Sequence, residues 1–268
     1  EVTEIRRRGT ILQRLYPQLS LEAKRVLLNP TLLPVVMGVK PGYRRTVQAG
    51  EPDLQGLQAE LAELPVLPDA PAFFIDDEYE HLVDTILFGK AIMRHRAFLE
   101  QRGVIRPAED DSQLEQLVEI DAVPQASWTA EQAEQFGDLT YQLFVRFYAR
   151  IGEAESMEAA FFGVLMGYPE DTIQSEFPKT QAEIREKPQR HNSPFLRAAL
   201  FTDRQGSAAS GQAADRYIAR MTDVLYYAYS LFRDDAEFQA LARELRLPED
   251  VLTSQPPPCT ILRARSRF

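Results

Sequence analysis

Thr129 to Pro169 reads TAEQAEQFGDLTYQLFVRFYARIGEAESMEAAFFGVLMGYP, directly after Trp128. Phe136, Leu139, Leu143, Phe147 and Ile151 recur every three or four residues, and Thr140, Phe144 and Tyr148 widen the stripe. That spacing predicts an amphipathic helix packed on one side along its length. Gly152 ends it. A second apolar helix, Met157 to Met166, stops at Gly167 and Pro169. Two adjacent helices this rich in Phe belong near the middle of a core, because aromatic rings carry the largest apolar area per residue. The fold expected around them is mainly α.

Toward the N-terminus, residues 4–28 read as two short helices broken at Pro17, the second opened by Ser20. Pro30, Pro34, Pro41 and Pro52 then forbid a long helix. Val35–Val39 and Tyr43–Val47 read as short extended pieces joined by a Pro41-Gly42 turn. Leu54–Leu64 is a short helix. After Pro71, Asp76 or Asp77 is placed to cap a helix whose apolar positions Leu82, Ile86, Ile92 and Phe98 keep helical spacing to Gly103. Residues 104–127, bracketed by Pro107 and Pro124, read as a polar connection with a short helix at Leu114–Val118. This is the segment expected to be a mobile or surface-laid loop.

Toward the C-terminus, residues 176–189 are polar. Ser193-Pro194 opens a helix from Phe195 to Phe201, proline being favoured at the first helical position. The small-residue run Gly206–Gly211 leads into a long helix ending at Phe232, and Asp234-Asp235 caps another, Phe238–Leu245. Residues 254–268 form a proline-rich arm with an extended piece near 259–265. No repeat of fixed period is present. The expectation is a single compact domain of many helices with a few short extended segments, over residues 1–268.

Composition bounds the function. The net charge of −10 disfavours nucleic acid and anionic membrane surfaces as partners, since both need a basic face. One cysteine, Cys259, excludes an internal disulfide and a multi-cysteine metal site. No apolar run approaches the roughly 20 residues that span a bilayer. With no signal peptide in view, a cytoplasmic location is expected.

Three histidines carry the candidate chemistry. His81 and His95, read as sharing one helix, would stand about 21 Å apart and cannot ligate one metal. Asp77 and Asp84 lie one turn to either side of His81, so a His–carboxylate pair on a solvated face is expected there. His95 between Arg94 and Arg96 would make an anion clamp only if all three converged. His191, in QRHNSPF beside Arg190 and Asn192, stands at a helix entrance, where it can serve as general base, anion contact or axial ligand. Heme needs one protein nitrogen and an aromatic pocket, both of which such a chain can supply. Glu-x-x-His occurs once, at Glu78–His81, where a di-iron bundle needs it twice, which disfavours that centre. GSAASG lacks the lysine of a phosphate loop.

Phe162-Gly-Val-Leu-Met-Gly-Tyr-Pro169, followed by Asn192-Ser-Pro-Phe-Leu196, resembles an uncharacterised family with a Leu-Gly-Tyr-Pro-acidic-Cys-Cys turn and a later Asn-Pro-hydrophobic segment. Here Asp171 and Thr172 stand where that family has its paired cysteines, and the resemblance implies no activity.

Two function classes follow. The first is a small-molecule enzyme with an aromatic-lined pocket between helices, in its most specific form a heme oxygenase or hydroxylase acting on an aromatic or amino-acid-sized substrate. His191 is its ligand or base, His81 a second catalytic candidate, and Arg190 and Tyr168 contact the cofactor or substrate. The alternative is a non-catalytic helical protein that binds a protein partner. Self-association as a homodimer is compatible with either.

Overall fold

The computed structural model describes residues 2–46, 54–63, 72–75, 79–168 and 208–247. Among them are eleven α-helices and a three-stranded antiparallel sheet of order β1-β3-β2, so the chain is mainly α. Helix α1 (Val2–Leu15) runs into a 3-10 turn at Pro17, and Ser20 then caps α2 (Leu21–Leu27) by accepting from the Ala23 amide at 3.2 Å. A single helical turn, α3 (Leu33–Val36), precedes β1 (Gly42–Thr46). Then come α4 (Leu54–Glu63), β2 (Ala72–Ile75), β3 (Tyr79–Val83), α5 (Thr85–Arg94) and α6 (Arg96–Gln101). Next are α7 (Pro107–Asp121), α8 (Ala130–Arg150) and α9 (Glu155–Leu165). Helices α10 (Ala208–Ser230) and α11 (Ala236–Glu244) complete the described chain.

The opening stretch folds as its periodicity requires. Thr129 and Gln132 close a capping box at the start of α8, and Phe136, Leu139, Leu143, Phe144 and Phe147 are its buried face. Gly167, at φ 71°, ends α9 in the left-handed region that glycine enters without strain. Asp235 caps α11 by accepting from the Phe238 amide at 2.7 Å.

Three readings are corrected. The helix expected from Asp76 to Gly103 is instead, from Tyr79 onward, the strand β3 followed by α5 and α6, and the helix cap is Asp84, which accepts from the Leu87 amide at 2.9 Å. Nearly every residue of β3 is buried, so it shows none of the polar alternation that marks a half-exposed strand. Val35–Val39, expected to be extended, begins inside α3, where Pro34 is tolerated in the first turn. Residues 107–121, expected to be mostly connection, form the four-turn helix α7, with Leu114, Leu117 and Ile120 facing the core. Its high charge hid that stripe. The segments 176–189 and 195–201 and the arm 254–268 lie outside the described residues.

The sheet divides the interior in two. Tyr43 and Leu82 point toward one core, built by α1 to α4, α10 and α11. Phe74 and Val83 point toward the other, built by α5 to α9. A buried ion pair stitches the halves together: Arg8 of α1 meets Asp84, the residue between β3 and α5, at 2.8 Å. No described helix is long and apolar enough to cross a membrane.

Lys40, between α3 and β1, is 7% exposed, and its Nζ lies 3.4 Å from the Thr31 carbonyl oxygen. Burial lowers its pKa to about 8 from 10.5. Below pH 8 both folded and unfolded chains hold the proton, and the folded chain bears the full cost of a buried charge. Between pH 8 and 10.5 only the unfolded chain keeps it, so stability rises with pH through that window. Lys40→Met is therefore expected to raise stability at pH 7 by about 1–3 kcal/mol, with the advantage shrinking as pH approaches 10.5. Melting curves of the two proteins at pH 7 and pH 10 test this; a pH-independent difference contradicts it.

Candidate functional site

One row across the sheet gathers the chemistry. Strand register sets Arg44 of β1 opposite His81 of β3, and His81 opposite Phe74 of β2. Residues opposite one another in antiparallel strands share a face, and this face meets α8 and α9. His81 is fully buried. Its ring centroid lies 5.0 Å from that of Tyr148, 5.7 Å from Phe144 and 5.7 Å from Phe74, and it stacks parallel to Phe162 at 6.1 Å. Tyr79, two residues before it on the same face of β3, lies at 6.4 Å.

Arg44 occupies the outer end of this row. Its guanidinium carbon lies 3.6 Å from the Tyr79 ring centroid and 4.0 Å from that of Phe162, over both rings. Nη1 is 3.5 Å from Glu158 Oε1, on the first turns of α9. The side chains of Arg44 and Glu158 keep 20% and 34% exposure, whereas His81 behind them keeps none. The site is thus graded from a charged rim to a sealed imidazole. A guanidinium directs its N–H groups within its own plane, the geometry that suits a planar anion.

His81, expected on a solvated helix face with a carboxylate partner, lies instead on a buried strand among rings. Asp84 serves Arg8 and the cap of α5, and Asp77 lies outside the described residues. The strand places His81 among rings because Phe74, one of its two neighbours in register, and the facing residues of α8 and α9 are aromatic.

Tyr168 closes α9 beside Gly167. Its ring meets that of Tyr217 of α10 edge-on at 5.5 Å, and Tyr217 donates to the Met166 carbonyl at 2.8 Å. Burial pushes the Tyr168 phenol up to about 12, so it remains a proton donor at neutral pH. His95 joins α5 to α6, and the basic triplet around it does not converge on one point: Arg94 is exposed, while Arg96 is engaged by Glu100 at 2.7 Å and Asp111 at 2.8 Å. His191 and Arg190 lie outside the described residues, and so does the heme site assigned to them. Among the described residues no group of three His, Cys, Asp or Glu side chains is arranged to hold a metal ion.

Arg44, Glu158 and Tyr79 escaped the sequence reading. The signal for them is the pair of segments YRRT and YEHLV. Read as neighbouring antiparallel strands, they bring an arginine opposite the histidine. Comparison with protein families, curated proteins and solved structures finds no match, so the site is read from its own chemistry.

Proposed function

We propose that the protein is a small-molecule enzyme whose pocket opens at the rim of the Arg44–His81–Phe74 row, between the sheet and helices α8 and α9. The observation that carries this reading is the placement of one cation and one imidazole on a single sheet face, walled by Tyr79, Tyr148 and Phe162. The rings accept the apolar body of an aromatic or amino-acid-sized substrate, and His81 takes or gives a proton at the inner end. Imidazole suits that task because one ring nitrogen donates while the other accepts. An oxidative heme version would depend on His191; a Soret band with added hemin that His191→Ala removes is its measurement.

The test is a thermal-shift screen of amino-acid-sized compounds, aromatic and aliphatic, neutral and anionic. Aromatic members are expected to raise the melting temperature of the wild type and to lose that effect in His81→Phe, which keeps a ring in the aromatic box. Compounds that shift both proteins equally, or a screen without hits, would sink the reading.

A further inference from the structure

We propose that Arg44 is an anion clamp for the carboxylate of a small planar acid, and that Glu158 is the resident carboxylate a ligand displaces. This rests on the small-molecule reading above and assigns its substrate class. A guanidinium carries five N–H donors. Among the described residues that of Arg44 meets one acceptor, Glu158, at the outer limit of a hydrogen bond, and its Nε has no hydrogen-bond partner. Donors left unmet in a mostly buried side chain are costly, and a ligand oxygen relieves that cost. The Tyr79 and Phe162 rings both lie against the guanidinium, 3.6 and 4.0 Å from its carbon, which narrows the approach of a ligand toward its edge. An edge with two parallel N–H groups pairs best with the two oxygens of a carboxylate.

Two further features narrow the ligand. Glu158 beside the clamp repels added negative charge, which favours a monoanion over a phosphate dianion. The ring of Tyr148 and the parallel pair of Phe162 and His81 continue inward from the clamp, so the body attached to the carboxylate is apolar and flat. Lysine cannot reproduce the arrangement, because an ammonium neither stacks as a plane nor donates in parallel.

Isothermal titration of the full chain with phenylacetate and benzoate, against phenylacetamide and benzamide, tests this. The acids are expected to bind at least about tenfold more tightly than the amides, and Arg44→Lys to lose most of that preference. Glu158→Gln is expected to tighten the acids several-fold by removing the competing and repelling carboxylate. If Arg44→Lys does not fold, Glu158→Gln decides alone. Equal affinity for acids and amides, or unchanged or weaker acid binding in Glu158→Gln, overturns the clamp. Amides and acids binding alike, but only with His81 present, would remove the clamp and leave the small-molecule reading standing. Acids binding through Arg44 with no effect of His81→Phe would keep the clamp and remove the enzyme. No binding by any of the four removes both.

Discussion

Asp84→Ala is expected to lower the melting temperature by about 10 °C, a loss on the order of 3–5 kcal/mol. Asp84 Oδ2 pairs with Arg8 Nη1 at 2.8 Å, and the two side chains are 1% and 5% exposed. Oδ1 caps α5, and the Asp84 amide donates to the Pro41 carbonyl at 2.8 Å. Burial pulls the Arg8 pKa down, but Asp84 and Glu4 more than reverse this, so the guanidinium stays charged throughout the accessible pH range. Removing Asp84 leaves that charge inside the protein with only Glu4, at 2.7 Å on the rim, to oppose it. Loss of the cap adds about 1 kcal/mol. Arg8 also lies across Gly38, where a Cβ would stand 2.6 Å from its Nε, so only glycine there leaves room for the guanidinium. The double variant Arg8→Met/Asp84→Ala is expected to recover part of the loss, since the stranded charge goes with it. Urea unfolding of the two single variants and the double gives the coupling; strictly additive losses would show that the pair does not act as one unit.

Asp110→Ala carries an expected loss of similar size, about 3–5 kcal/mol at pH 7. Asp110 is fully buried at the start of α7. It receives Arg150 at 2.6 and 3.1 Å, Arg146 at 2.9 Å and the Arg106 amide at 2.8 Å, joining α7 to the end of α8. Burial alone would raise its pKa. Arg150, the Arg106 amide and Arg146 together outweigh that and hold the carboxyl below its usual value of 3.8. A carboxylate depressed on folding contributes stability that is complete above its unfolded pKa and is lost as pH falls through its folded one. The gap between wild type and Asp110→Ala is therefore expected to be full at pH 7 and to narrow only below about pH 4. Denaturant melts at pH 7, 4 and 3 test it; a gap that widens on acidification would contradict the assignment.

The helical half of this protein was legible from spacing alone. Phe136, Leu139, Leu143 and Phe147 could bury together only as a helix, and capping chemistry at Ser20 and Asp235 marked where two other helices begin. The candidate site was legible only in part. His81 stood out as a residue type, yet its surroundings were misread, because LVDTILFGK continues the apolar period backward into a strand buried on both faces. Periodicity cannot separate a doubly covered strand from a helix over so few residues. Arg44 gave no signal by itself, since a lone arginine in a short segment is ordinary.

By itself, then, the sequence determined a mainly α chain with Phe-rich helices at its centre, because helical periodicity and capping are local properties of neighbouring residues. Tertiary structure alone decided that a small sheet would divide the core, that Arg8 would reach Asp84 across it, and that Arg44 would lie opposite His81 between Tyr79 and Phe162. Those are pairings between residues tens of positions apart. They depend on strand register and on which faces meet, and neither is written in any single window of the chain.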